Sequence, residues 1–566
     1  MKRTMMNRRL IIWICAAVAA LPLAAQNDLN KEVTVTRAYE PSVSESFKME
    51  LTPDMVDTTK IRPEFNYEVT PYPLDYGFAV SPIRPVNFNT VDSRIHHPFY
   101  VKLGVGGPFQ SIAEASYGSK LDDKTTVGAI IKHYGQYSKI KNDANEKAPA
   151  QATFNNASLF ADRKFGDDLF LSGKFDYSYN SVTRYGYYNY NDPIPVSFDT
   201  SRKGLAQFYH DLGFGLSVGN SFADLSKFNF KVGASFDFFG DKFKYDEFLW
   251  KVGTHISIPA GYTSQITVDA GYDKVKGTSK LKNEYSDEIF LAGLGYQFDN
   301  GTFRFSLGGQ YAYYSTEGMN ENQNKFLPKI NLELDLFDGY LTPYAFVTGN
   351  VQRNDYRSLS KINPYVLNGS ALPTTVEYSG RVGARGLLFD ILRYDISGGF
   401  TRNDDFHFFV NHYDLKYYGN VFTALTDKAK IWDGKIALDA DFQRSFNIYA
   451  SARFYKYKLD NFDDAGDRPD LEVNFGVKYK YRNLFFIDLG MTLWGERIFY
   501  EYQYNNMLNA VKSDNLMDLY VNIDSNITKE FGVFVTGRNL LNKKLYMYNH
   551  YPMLGVNVMG GIKFLF

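Results

Sequence analysis
The sequence predicts an all-β fold, a transmembrane antiparallel β-barrel of the outer membrane with about 22 strands (range roughly 14–22). Three observations predict it. Apolar and polar residues alternate along many segments, charges fall on only one of the two faces so made, and short links alternate with longer ones. One-sided alternation fits a solvated sheet or a lipid-facing barrel, because successive side chains of a strand point to opposite faces. The segregation of loop lengths decides between them. A soluble sheet has no reason to put its long loops at one end.

The alternation is clearest in four segments. Leu169, Leu171, Phe175, Tyr177 and Tyr179 oppose Ser172, Lys174, Asp176, Ser178 and Asn180. Phe228, Phe230, Val232, Ala234, Phe236 and Phe238 oppose Asn229, Lys231, Ser235 and Asp237. Ile330, Leu332, Leu334 and Leu336 oppose Asn331, Glu333 and Asp335, and Leu471, Val473, Phe475, Val477, Tyr479 and Tyr481 oppose Glu472, Asn474, Lys478 and Lys480. Tight links are expected near 119–123, 165–167, 221–225, 260–262, 299–301, 338–340, 388–390, 444–446, 482–483 and 529–530. Gly166-Asp167, Asp299-Asn300-Gly301 and Asp338-Gly339 supply the positive φ or Asx geometry that hairpins need. The other links are mostly longer, near 107–110, 139–150, 184–203, 240–245, 278–284, 316–326, 354–375, 411–418, 460–469, 497–515 and 540–555. Within 391–444 the pattern reads as two long strands; four would preserve the even number.

Composition agrees. The mean hydropathy of −0.33 is that of a soluble protein, yet 17% of the residues are aromatic, with 44 Tyr and 47 Phe. Polar lumen residues dilute a barrel's lipid-facing ones, and aromatic girdles raise the Tyr and Phe count. A formal net charge of −1 across 566 residues excludes a strongly basic nucleic-acid surface as the main theme. At the amino terminus, Lys2, Arg3, Arg8 and Arg9 precede an apolar run from Leu10 to Leu23, with Ala24-Ala25 before Gln26. This is the pattern of a secretory signal peptide over 1–25. Cys15, the single cysteine, lies inside it, so the mature chain is expected to have no disulfide and no Cys-based metal site or nucleophile. No later stretch is long and apolar enough for a membrane helix, which leaves strands to do the spanning.

The carboxyl end carries a resemblance. Val558, Gly560, Ile562, Phe564 and Phe566 share one face of the last strand, and an aromatic terminus resembles the targeting signal of Gram-negative outer-membrane barrels. Ile562, Phe564 and Phe566 are its candidate residues. The run Phe531 to Lys544, containing Asn539-Leu540-Leu541-Asn542-Lys543, resembles the penultimate strand and turn of TonB-dependent outer-membrane receptors. A loop with Tyr546 and Pro552 follows, then the Gly-rich last strand. Thr423 to Phe442, with Ile431-Trp432-Asp433-Gly434, is similar to a long strand in the last third of those barrels. The resemblance covers 376–566 and implies solute uptake driven through an inner-membrane partner. It departs from the family at the amino side, where a plug of well over a hundred residues is expected and only 26–97 are present. Glu32-Val33-Thr34-Val35-Thr36-Arg37 resembles the strand that opens the plug, with Arg37 where a Gly is expected.

Segment 26–97 is Pro-rich (Pro41, Pro53, Pro63, Pro71, Pro73, Pro82, Pro85), which predicts an extended path. Its Phe65, Tyr67, Val69, Tyr72, Leu74, Tyr76, Phe78 and Val80 are too frequent for a purely solvated linker. Glu32, Val33, Val35, Arg37 and Tyr39 are candidates for contact with the barrel interior or with a periplasmic or outer-membrane protein partner. Residues 98–566 are expected to form the barrel. At 22 strands its lumen needs filling, by this segment, by infolded loops, by flattening or by another protein. Loops 184–203 and 354–375 are the internal candidates. Tyr185, Tyr187, Tyr188 and Tyr190 of the first suit either ligand contact or a place at the membrane interface.

No catalytic motif is apparent. None of the eight His residues has a metal-ligand spacing, and His407 and His412 read as exposed surface residues. Gly213-Phe214-Gly215 lies within a strand with no helix after it, unlike a phosphate loop. Ser, His and Asp are grouped by no motif, although such sites are geometric rather than sequential. No cofactor is expected. The functional readings are uptake of a solute of unknown identity, a non-transporting barrel that anchors a multiprotein complex through 26–97, or a passive porin. In all three the lipid bilayer is the chain's solvent.

Overall fold
The structure, a computed structural model, describes residues 98–566 except 167, 189–197, 221, 223–225, 279–283, 317–322, 368–371, 413–417, 443–444, 483 and 504–506. The candidates Glu32, Val33, Val35, Arg37 and Tyr39 lie outside the described residues, as does Tyr190. The described chain is a closed barrel of 22 antiparallel strands, each paired with the next in sequence order. Closure is made by Phe99–Gly107, which pairs with Gln110–Asp122 on one side and with the last strand, Asn557–Leu565, on the other. Two further strands, Ile498–Tyr502 and Leu508–Lys512, form a hairpin outside the ring. A two-residue parallel bridge to Val410 and Asn411 ties it on.

Turn chemistry sets the end with the short links. Gly301 has φ +92°, its N–H donates to Asp299 Oδ1 at 2.8 Å, and the Phe303 N–H donates to Asn300 Oδ1 at 2.7 Å. Asp338 and Gly339 both sit at positive φ, and Gly339 donates to Asp335 Oδ1. The long links all leave from the opposite end, which the alternation of links makes extracellular. Segment 391–444 does form two strands, Leu392–His412 and Val421–Phe442, of 21 and 22 residues. A span needs about 9–11 residues, so these two rise well above the bilayer.

The outer face is apolar and open. Val105, Ile131, Leu294 and Leu307 are 57–67% exposed on it, and only lipid makes that exposure favourable. Ile562 faces outward beside Leu103, Phe564 packs against Phe531, and Phe566 lies parallel to Phe564. The lumen face is charged and internally paired. Lys435 meets Asp395 at 2.6 Å, Arg385 meets Glu333 at 2.9 Å, and Arg381 bonds both Ser397 and Asp433. Lys563 of the last strand pairs with Asp524. The largest buried apolar cluster lies at the extracellular end, built by loops and strand tips.

Candidate functional site: the loop cap over the lumen
Loops from different sides of the rim fold inward and meet. The loop 353–374 starts with Asp355, whose carboxylate accepts from Ser358 N at 2.7 Å and so caps the short helix Tyr356–Ile362. The barrel wall holds this helix. Glu247 accepts from the backbone N–H groups of Tyr356 (2.9 Å) and Arg357 (2.8 Å). Arg357 donates from Nε to both Asp211 oxygens and from Nη2 to Asp237 at 3.0 Å, while Lys361 reaches Asp211 at 2.7 Å. The Tyr356 hydroxyl donates to Asp241. Carboxylates on three neighbouring strands thus fix one loop against the inner wall.

Aromatic residues join that loop to the others. Tyr365 stacks on Tyr551 with ring centres 3.8 Å apart, and the Tyr548 hydroxyl donates to the Ile362 carbonyl at 2.7 Å. Tyr551 in turn donates to the Asn420 carbonyl at 2.7 Å, and Asn420 Nδ2 donates to the Arg184 carbonyl at 2.9 Å. Two glycines permit the approach. A Cβ on Gly186 would lie 2.3 Å from the Tyr551 ring, and one on Gly419 (φ +76°) would lie 2.0 Å from Tyr188.

The structure places the three described tyrosines of the sequence-predicted loop inside this cap. Tyr185 (8% exposed) donates to the Pro552 carbonyl at 3.0 Å; Tyr187 (1%) donates to Glu146 at 2.9 Å; Tyr188 (5%) stacks on His550 at 3.7 Å. They sit at neither the membrane interface nor an open outer surface. His550 is the electrostatic centre. Its Nδ1 meets Asp143 and its Nε2 meets Glu501, both at 2.9 Å, while Lys544 and Tyr546 also bond Asp143. Burial pushes the imidazolium pKa down, but the two carboxylates outweigh it and hold it above its ordinary value. Burial raises the carboxyl of Asp143, yet bonds from His550, Tyr546 and Lys544 overcome this and hold it far below the usual range. Glu501 is likewise lowered against its burial, chiefly by His550.

Sequence reasoning missed Glu247, Arg357, Asp143, Glu501 and the clasping role of His550, because no local pattern marks a partner 49 to 407 residues away. It also misplaced His407, which is buried beside Phe409 rather than exposed. His407 and His412 face opposite sides of one continuously paired strand, so the two cannot share a ligand.

No protein-family model matches the chain, and no curated protein matches it in sequence. Solved structures do. The ferripyoverdine receptor of the outer membrane of Pseudomonas aeruginosa superposes with a TM-score of 0.62 at 14% identity, over 83% of this chain and 71% of that one. The FrpB iron transporter from Neisseria meningitidis gives 0.65 at 10% identity, over 83% and 81%. The siderophore receptor PirA from Acinetobacter baumannii gives 0.63 at 12%, over 83% and 80%. The fold is that of the outer-membrane receptor barrels. The resemblance to TonB-dependent receptors read from 376–566 therefore holds for the architecture of the whole described chain. These three proteins are named as receptors and transporters rather than as enzymes.

Proposed function
We propose that this receptor-like barrel takes up a solute across the outer membrane, with the loop cap as its outer gate. The observation that carries the reading is the cap itself, built by inward-folded loops on the barrel fold shared with iron and siderophore receptors. A wide barrel needs filling, and a passive porin has no use for loops knotted across its mouth. Segment 26–97 completes the proposal as the periplasmic-side element that controls passage, with residues 1–25 removed on export. Tyr185, Tyr187 and Tyr188 then act as gate residues whose exposure to ligand follows opening.

The anchoring reading draws on the same cap, since a barrel that passes nothing is well served by a locked mouth. One experiment separates the two. Cysteines placed at Tyr188 and Tyr418, whose backbones already meet where the Tyr188 N–H donates to the Tyr418 carbonyl at 3.1 Å, should lock the cap when oxidised, and reduction should release it. Cells expressing this variant should lose receptor-dependent uptake reversibly if the cap is a gate. Uptake that ignores the lock, with the barrel still co-purifying with other envelope proteins, would overturn the transport reading.

A further inference from the structure
The outer wall of the barrel carries a hydrogen-bonded chain of polar side chains where apolar ones are expected. Ser111, His133 and Asn155 stand on three successive strands, Gln110–Asp122, Thr125–Lys141 and Lys147–Phe165. All three face outward. Ser111 is paired with Val105, and His133 lies two residues from Ile131, both strongly exposed members of the apolar belt. Ser111 Oγ is 3.0 Å from His133 Nε2, and His133 Nδ1 is 2.7 Å from Asn155 Oδ1. Asn155 Nδ2 donates to the Tyr179 carbonyl at 2.9 Å.

That last bond orients the whole chain. With its NH2 committed to a carbonyl, Asn155 presents its oxygen to the ring, so His133 must donate from Nδ1. Nε2 is then the unprotonated nitrogen, and Ser111 donates to it. Nucleophile, base and orienting group stand in the order and at the distances that acyl transfer by a hydroxyl requires. Polar groups on a lipid-facing wall are expensive unless bonded, and an apolar residue at each position would cost nothing. Their presence calls for a use.

We propose that this wall is an ester-hydrolase site, with Ser111 as nucleophile, His133 as general base and Asn155 as positioning residue, acting on an acyl ester of an outer-leaflet lipid. Its height fits. Ser111 lies eleven residues along its strand from Asp122 at the periplasmic end. At about 3.3 Å per residue and a tilt of roughly 40° that is about 28 Å, the top of an apolar band about 25 Å tall. Lipid esters lie at that boundary between chains and headgroups. Tyr137 supplies a donor for the oxyanion. It lies across Gly135, the residue paired with Ser111, so closely that a Cβ on Gly135 would come within 2.5 Å of its hydroxyl. Phe109, 64% exposed and in ring contact with Tyr137, offers an apolar surface for the acyl chain.

The steps balance without a cofactor. Ser111 Oγ bonds to the ester carbonyl carbon as its proton passes to His133 Nε2. The tetrahedral intermediate expels the lipid alcohol, which leaves with that proton. Water then attacks the acyl-serine, giving up a proton to Nε2, and collapse frees the fatty acid and restores Ser111.

The test uses full-length protein in detergent-mixed phosphatidylethanolamine and, separately, in purified lipid A. Fatty-acid release is measured, together with labelling of Ser111 by a fluorophosphonate mapped by mass spectrometry. Release from either lipid identifies the source and supports the site. Ser111→Ala and His133→Ala should abolish release and labelling, Tyr137→Phe should slow turnover by about a hundredfold, and Asn155→Ala should lose at least ~100-fold. Asn155→Asp should retain activity and move the acid limb of the pH profile upward, because a carboxylate makes the imidazole more basic. A merely structural asparagine would not move that limb. Each variant is checked for heat-modifiable gel mobility, so that loss of the barrel is not mistaken for loss of the site. A folded wild type that neither labels at Ser111 nor releases fatty acid above Ser111→Ala overturns the proposal.

Discussion

Removing the ring of Tyr551 should open the cap while leaving the barrel wall intact. The residue is 1% exposed, stacks on Tyr365 at 3.8 Å, meets Tyr185 edge-on at 4.9 Å, and donates to the Asn420 carbonyl at 2.7 Å. Truncating a buried aromatic to alanine costs about 3–5 kcal/mol. At about 1.4 kcal/mol per decade, the closed-to-open ratio should fall by roughly a hundred- to several-thousand-fold. Tyr551→Phe removes only the hydroxyl and leaves the Asn420 carbonyl short of a donor, at a cost of about 1–2 kcal/mol, or roughly 5–30-fold. The two variants should therefore rank phenylalanine between wild type and alanine in open probability, measured by single-channel recording in planar bilayers. Both should keep wild-type heat-modifiable mobility, since every bond lost lies among loops. Because segment 26–97 is proposed to control passage in series on the periplasmic side, the recordings compare the variants in protein lacking that segment, and unchanged conductance in a correctly folded Tyr551→Ala protein would then refute the view that these loops hold the mouth shut.

Three further outcomes are expected. The His550 clasp should be pH-dependent: because its folded pKa is raised, its contribution is complete below the ordinary histidine value and fades as pH rises through the raised one, whereas Asp143 and Glu501, both lowered, keep theirs until far more acidic pH. Hydrogen-exchange protection factors in 539–556, with the base-catalysed intrinsic rate divided out, should fall on the alkaline side in wild type, and His550→Gln should remove that dependence. Arg357→Ala strands the carboxylate of Asp237 and leaves Asp211 with Lys361 alone, and breaking a largely buried ion pair costs about 3–5 kcal/mol; limited proteolysis should then cut within 353–367 faster than in wild type. Leu307→Arg, on the lipid face, should cost about 2–4 kcal/mol in urea titrations in vesicles, while Ser306→Arg, on the lumen face one residue away, should cost far less.

The barrel was legible in the sequence because its signals are local. Alternation with period two is imposed by the backbone itself, and turns such as Asp299-Asn300-Gly301 and Asp335 to Gly339 carry their own hydrogen-bond acceptors. Even the two long strands of 391–444 follow from alternation alone. The cap was not legible, because its contacts depend on where loops go after the strands end. Tyr185 bonds Pro552 at a separation of 367 residues, and Glu247 caps a helix 109 residues away. The tyrosine-rich loop was visible as unusual, but nothing in its composition says that it packs inward. His407 shows the reverse error: a polar residue in an alternating strand reads as exposed, yet inward loops buried it. The Ser111, His133 and Asn155 chain becomes visible only through register, since each residue stands on a different strand.

The central claim is that hydrocarbon wets one face of these strands and the lumen the other. The chain's single cysteine, Cys15, lies in the proposed leader, so single-cysteine variants are easily made. A fluorophore placed in turn at 303 to 308 in vesicle-reconstituted protein should be quenched by lipid-borne nitroxide at Phe303, Phe305 and Leu307. At Arg304, Ser306 and Gly308 it should be spared. Uniform quenching, or none at any of the six positions, would contradict the account at its base.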